Sequence, residues 1–216
     1  MNSEQTVIVG GTTFSTTNNG KRLIISGDTL DTCFNIEKGI FDHFEKLEFL
    51  ELSYANIGSL PSTIFDNCAN LKTLHLIHCI RILHSEIFDK LVNLKKLVIS
   101  HNGLRMIPIG LFDNNKQLKS LTITSCGIKF LPIGIFDNLK ELKYVNLGNN
   151  SIDYLSEGIF ANNKKLKRID LDMNEFKEVS PYLIDNIENL DYIDLSYNNI
   201  SGDVHFEKKC TLYLDD

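Results

Sequence analysis

The chain has 216 residues, 43% of them hydrophobic, which is enough for one domain with a sizeable core. Its formal charge of -6 argues against a general nucleic-acid binder, since neutralising phosphates takes an excess of Lys and Arg. No apolar run approaches the roughly 20 residues of a membrane-spanning helix. Val7 to Val9, cut off by Gly10 and Gly11, lacks the basic and apolar lengths of a secretion signal. Two readings follow: a cytosolic chain, or one shown without its natural N-terminus.

In chain order, residues 1–46 read as an N-terminal cap. Thr6–Val9 and Leu23–Ser26 read as capping strands, with the polar STTNNG between them as a turn. IEKGIFDHF then supplies a degenerate first unit.

From Leu47 the chain repeats itself. LEFLELSYANI (Leu47), LKTLHLIHC (Leu71), LKKLVISHNGL (Leu94), LKSLTITSCGI (Leu118), LKYVNLGNNSI (Leu142), LKRIDLDMNEF (Leu166) and LDYIDLSYNNI (Leu190) follow LxxLxLxxN-x-L. The period is 24 residues, except for one unit of 23 at Leu71. The units are 47–70, 71–93, 94–117, 118–141, 142–165, 166–189 and 190–208; 209–216, with Leu212 and Leu214 at LxL spacing, begins a further one. A solenoid ending in mid-strand exposes an edge, so the natural protein is expected to continue beyond Asp216.

Each position has a physical reason. The fourth and sixth places alternate with polar ones, as in a strand with one buried face. At the ninth, Asn102, Asn150, Asn174 and Asn198 can bond backbone groups that an inward turn leaves unpaired. Cys79 and Cys126 replace that Asn, and Ala55 makes no such bonds. Phe41, Phe65, Phe88, Phe112, Phe136 and Phe160 recur as an aromatic spine, and Pro61, Pro108 and Pro132 stiffen the return segment. No repeat buries its own face alone, so neighbours must stack. The fold expected is an α/β solenoid, a horseshoe with a parallel concave β-sheet and a mostly irregular, short-helical convex side.

The 24-residue unit with LPxGIFDNL resembles the typical class of leucine-rich repeats in Toll-like receptor ectodomains and lamprey variable lymphocyte receptors. The tail LDLSYNNISGD…TLYLDD is similar to mosquito leucine-rich immune proteins. The resemblance covers roughly residues 30–216. It implies an extracellular, secreted recognition or signalling module of innate immunity, with a protein as partner. Residues 1–216 depart from the pattern of these relatives in showing neither a signal-peptide pattern nor a cysteine-clustered cap, which is the expectation for a cytosolic chain or for one shown without its natural N-terminus. The sequons at Asn149 and Asn199 point back toward secretion as possible glycosylation sites.

Candidate contacts lie at the x positions, which stack into columns about 4.8 Å apart. The first choice is aromatic and His-rich: Phe49, Tyr54, His75, His78, His101, Tyr144, Tyr192 and Tyr197, since rigid aromatics are the commonest interface anchors. His78 and His101 occupy equivalent places, as a pH-sensitive patch requires; two His alone make a poor metal site. A lysine column (Lys72, Lys95, Lys119, Lys143, Lys167), flanked by Glu48 and Asp191, reads first as a soluble sheet margin and second as an anion strip. Asp170, Asp172 and Asp194 would welcome Ca²⁺ or a partner's cation; without Ca²⁺-loop spacing, the expectation is that Arg168 and Lys167 neutralise them. Cys68, Cys79 and Cys126 fall at core positions, while Cys33 and Cys210 lie too far apart to pair. No phosphate loop, HExxH, nucleophile elbow or zinc spacing is present, so neither catalysis nor a cofactor is expected. The function expected is binding of a protein partner by the concave face, with no nucleic acid. The rivals are a cytosolic adaptor, or the repeat domain of a larger receptor or enzyme.

Overall fold

In a computed structural model, residues 5–9, 12–17, 20–27, 36–37, 39–54, 57–207 and 209–215 are described. Cys33 and Ala55 lie outside them. The strands are β1 (Gln5–Val9), β2 (Thr12–Thr17), β3 (Arg22–Gly27), β4 (Phe49–Ser53), β5 (Gly58–Ser59), β6 (Thr73–Ile77) and β7 (Ile80–Ile82). They continue as β8 (Lys96–Ser100), β9 (Ser120–Thr124), β10 (Tyr144–Asn146), β11 (Arg168–Asp170), β12 (Tyr192–Asp194) and β13 (Thr211–Tyr213).

Eleven of them form one sheet in the order β1-β2-β3-β4-β6-β8-β9-β10-β11-β12-β13; β5 and β7 pair separately. From β3 onward the large sheet is parallel, with Leu50, Leu74, Leu97, Leu121, Val145, Ile169, Ile193 and Leu212 in one row. The cap differs from expectation. Ser15, Thr16 and Thr17, read as part of a turn, belong to β2, which pairs antiparallel with both β1 and β3. Their β-branched threonines suit a strand, and a hairpin strand covers the first parallel strand more fully than a loop does. On the side opposite the sheet, six-residue runs of turns recur in register. In two of them Gly110 (φ 75°) and Gly134 (φ 72°) take the left-handed third place of the turn, directly after the exposed Ile109 and Ile133.

The core lies between sheet and turns. Phe41 stacks on Phe65 at 5.9 Å, Phe65 on Phe88 at 6.4 Å, Phe88 on Phe112 at 6.3 Å, and Phe136 on Phe160 at 5.6 Å. All six rings are buried. The ninth-place Asn sits just inside the sheet. Asn102 Oδ1 accepts from Cys79 N (2.8 Å) and Ile80 N (2.9 Å), while its Nδ2 donates to the carbonyls of Leu76 and Ser100. Asn150, Asn174 and Asn198 repeat this arrangement. Cys126 keeps half of it, its Sγ donating weakly to Ile99 O (3.5 Å) and Thr124 O (3.2 Å). Burial pushes the Cys79 thiol up to about 12 and those of Cys68 and Cys126 to about 11, so all three are inert core groups.

Two further asparagines were not anticipated. Asn115 and Asn163 are fully buried among the turns and donate to Phe88 O and Leu91 O, and to Phe136 O and Leu139 O. They tie neighbouring turns together.

Asn150→Ala leaves the backbone amides of Cys126 and Ile128 unpaired and is expected to cost about 1–3 kcal/mol in chemical denaturation. Asn149 next door is exposed with φ 52°, so Asn149→Gly should leave stability unchanged or slightly higher. Equal losses in the two variants would contradict the register.

Candidate functional site

The sheet's outer face has two aromatic ends and a plain middle. At the N-terminal end Phe49 carries the Arg22 guanidinium 3.6 Å above its ring and meets His75 edge-on at 5.1 Å. His75 Nδ1 lies 3.3 Å from Glu51 Oε2, and its Nε2 is buried without a partner among the described residues. Burial holds the His75 imidazole below its ordinary value, although Glu51 pulls the other way. In the middle, Val98, Ser120 and Thr122 offer short side chains.

The C-terminal end is a built cluster. Arg168 Nε donates to both carboxylate oxygens of Asp170 at 2.8 and 3.0 Å, and its guanidinium lies 4.3 Å over Tyr192 and 5.8 Å from Tyr144. Tyr144 Oη also donates to Asp170, which is only 2% exposed. Tyr192 Oη donates to Asp194 at 2.8 Å, and its ring packs on Tyr213 at 4.9 Å. Burial and the Asp194 contact push the Tyr192 phenol up to about 12. Burial opposes ionisation of Asp194, but the Ser196 hydroxyl and amide and the Tyr192 hydroxyl outweigh it, so this acid stays below its ordinary range. Asp172 is shifted up, by burial first and then by the Asp194 and Asp170 charges. It also lies against Gly148, where a Cβ would come within 2.6 Å of its Oδ1.

This arrangement amends two expectations. Arg168 does neutralise Asp170, but Lys167 lies 3.7 Å from Asp191 and takes no part. Tyr144 and Tyr192 are half-buried and bond carboxylates, so truncating them removes support from Asp170 and Asp194 as well as surface. Among the described residues, no group of three or more His, Cys, Asp or Glu is placed to hold a metal ion.

Tyr54, His78, His101 and Tyr197 stand apart, on the rim just past the strand ends. They share the eighth place with Ser125, Asn149 and Met173, and all seven are left-handed, with φ between 49° and 56°. Tyr54 stacks on His78 at 5.2 Å and His78 on His101 at 4.6 Å, both nearly face to face. Parallel rings do not aim their lone pairs at a common point, so this is a stack and not a chelate. Burial, then the neighbouring His101, keeps His78 below its ordinary value. Asn149 and Asn199 are exposed; Asn149 Nδ2 donates to Ser125 Oγ. In the lysine column, Lys72 pairs with Glu48 at 2.6 Å, while Lys95, Lys119 and Lys143 are exposed and form no ion pair among the described residues.

Sequence reading passed over three features. Arg168 counted only as a neutralising charge, and Tyr213 was hidden between Leu212 and Leu214. The thirteenth place of successive repeats holds Met106, Phe130 and Tyr154, and Ile82 takes the equivalent twelfth place of the 23-residue unit; all are exposed, with Met106 at 71%. Aligning that place across repeats would have revealed this last column.

Comparison with known proteins follows the same lines. The description "Leucine rich repeat" matches residues 116–176 and 155–200, and "BspA type Leucine rich repeat region (6 copies)" matches 7–132, more than half the chain. The chain belongs to the leucine-rich-repeat family. Among solved structures, this leucine-rich-repeat chain is similar to TLR13 in a complex with ssRNA13, at 27% identity and a TM-score of 0.70, over 75% of this chain and 24% of that one. Toll in the Drosophila Toll–Spatzle complex shares the fold at 19% identity and a TM-score of 0.71, over 90% of this chain and 35% of that one. An internalin (InlF) of Listeria monocytogenes shares it at 19% and 0.64, over 84% and 49%. The chain thus spans between a quarter and a half of the length of these neighbours. No curated protein sequence matches it. Among the described residues, no helix is long and apolar enough to cross a membrane.

His75 and His78 are both held below the ordinary 6.5, so the unfolded chain takes up protons first as pH falls. Stability is therefore full above about 6.5 and declines below it. The melting temperature should drop by a few degrees between pH 7 and 5, and the double variant His75→Gln with His78→Gln should flatten that slope. A wild-type profile with no slope in this window would refute the assignment.

Proposed function

We propose that this repeat domain is a non-catalytic recognition module that binds a protein partner on the concave face of its sheet, with the C-terminal cluster as the anchor. One observation carries the reading. The Arg168 guanidinium is pinned by the buried Asp170 and laid on Tyr192, yet half its side chain (51%) remains exposed. Arg and Tyr held rigid before binding lose little entropy on contact, which is why such residues dominate interface energetics. The Tyr213 ring extends the platform, and Phe49 with His75 forms a second, smaller one on β4 and β6, five and four strands from Arg168 along the sheet. The complementary surface would carry a carboxylate for Arg168 beside apolar groups for the tyrosines.

An extracellular role in innate immunity is the setting that best suits a repeat of this class with exposed sequons at Asn149 and Asn199. The neighbours lend support: Toll is solved with Spatzle, and TLR13 with single-stranded RNA. The cytosolic adaptor and the repeat domain of a larger receptor or enzyme are the competing settings. The RNA complex also favours a second reading. A net charge of -6 does not exclude nucleic acid locally, because Lys95, Lys119 and Lys143 form an exposed cationic column beside the sheet, with no ion pair among the described residues.

A photo-crosslinking residue placed at Thr122, in the plain middle of the face, tests both readings against a control at Lys116 among the turns. In extracellular fluid of the source organism, Thr122 should give a discrete protein adduct and Lys116 none. Tyr213→Ala and Arg168→Lys should each cut its yield about tenfold, with melting shifts of no more than a few degrees. An adduct destroyed by ribonuclease, with a steep salt dependence, would replace the protein reading by the nucleic-acid one. Equal labelling from Lys116 would move the interface off the sheet.

A further inference from the structure

Among the turns, between the repeats that begin at Leu142 and Leu166, lies a cavity of about 300 Å³. It opens where the repeat framework lapses. The spine of phenylalanines gives way to Ile184, and Phe176 is buried at a place where earlier repeats carry Ile or Leu. Glu178 follows Ile82, Met106, Phe130 and Tyr154 in the exposed column.

The lining has a clear polarity. Leu155, Leu171, Phe176 and Leu183 supply an apolar floor. Tyr154 and Tyr182, each 61% exposed, stand at the mouth. The charged residues of the lining are Glu157 and Glu178, both exposed, and neither forms an ion pair among the described residues. Two unpaired carboxylates beside two phenol rings repel anions and favour a cation, and the apolar floor favours a hydrocarbon body.

We propose that this cavity binds an organic cation, an apolar body bearing a single ammonium or guanidinium group, seated on the leucine floor with its charge between Glu157 and Glu178. The volume stands at the lower end of the range for ligand pockets, about 300–1,000 Å³, which suits one ring or one long side chain. The same chemistry has two sources: a free amine, or an Arg or Lys side chain of a partner lying on the apolar column that leads to Tyr154. The site is separate from the concave cluster and does not depend on it.

The test titrates the full chain with phenethylammonium, with neutral phenethyl alcohol and with Nα-acetyl-arginine amide, read by calorimetry and saturation-transfer NMR. At least one cation should bind about tenfold or more tightly than the alcohol. Glu178→Gln and Tyr182→Ala, both at exposed positions, should each weaken it several-fold with an unchanged melting temperature. A preference for the arginine derivative assigns the site to a partner's side chain, and a preference for phenethylammonium to a free amine. Tyr213→Ala should leave cation binding intact, which separates this outcome from that of the concave reading. No binding by either cation, alcohol binding as tight as theirs, or a Glu178→Gln variant indistinguishable from wild type would overturn the proposal.

Discussion

The structure depends on how the chain leaves the sheet. At the end of each strand it must turn sharply inward, and that turn buries backbone amides with no strand left to pair them. The solution is a left-handed residue at the eighth place followed by Asn at the ninth. Seven residues in succession, from Tyr54 to Tyr197, hold φ near 50°, and none of them is glycine. Each costs about 1–2 kcal/mol of backbone strain. In four of the seven the cost is offset by the Asn side chain that follows, which pairs up to four backbone groups across two repeats, as Asn102 does. Backbone hydrogen bonds between repeats, such as that donated by His78 N to Ser100 O, complete the turn.

This geometry also builds the surface. A left-handed residue swings its side chain out at the rim, and exact stacking puts equal places side by side. That is why Tyr54, His78 and His101 form a stack of rings, although nothing in their separation along the chain makes them neighbours. The same stacking makes a column of whatever occupies each outward place: lysines at the second, mixed aromatic and polar groups at the third and fifth, exposed apolar residues at the thirteenth. A solenoid therefore turns a one-residue choice per repeat into a continuous surface property.

The framework was legible in the sequence because it repeats. Leu rows, the buried phenylalanines and the four ninth-place asparagines follow from counting, and each is where the period places it. What repetition could not reveal was contact between places of different type. Arg168 reads as a neutralising charge until the pairing of β11 with β12 and β10 sets it between Tyr192 and Tyr144 over Asp170. Tyr213 lies in a short strand where the apolar alternation draws attention to its neighbours. Asn115 and Asn163 stand where other repeats have Leu, Cys or Ile, and a polar residue at a core place looks like drift until its donors are found bridging two turns. In the cap, STTNNG has turn composition throughout, and only tertiary pairing with β1 and β3 draws its first half into a strand.

The repeat at Leu166 departs from the others on both surfaces. On the sheet it sets Arg168 between Tyr144 and Tyr192, at a place where no other repeat carries Arg, and Asp170 beside Asp194; among the turns it brings Glu178, Tyr182 and Ile184 in place of the recurring aromatic and glycine. Stability argues against such changes, since each gives up a packing or turn preference that neighbouring repeats keep. Their cost is contained because the departures are compensated locally. Asp170 is fully bonded, Phe176 fills the core from another place, and the residual space is left as an open cavity and not a sealed void. Two chemically distinct surfaces thus arise back to back in one repeat. Under the two proposals, groups on the sheet and among the turns engage separate ligands there while sharing the rigid core formed by Leu171 and Phe176.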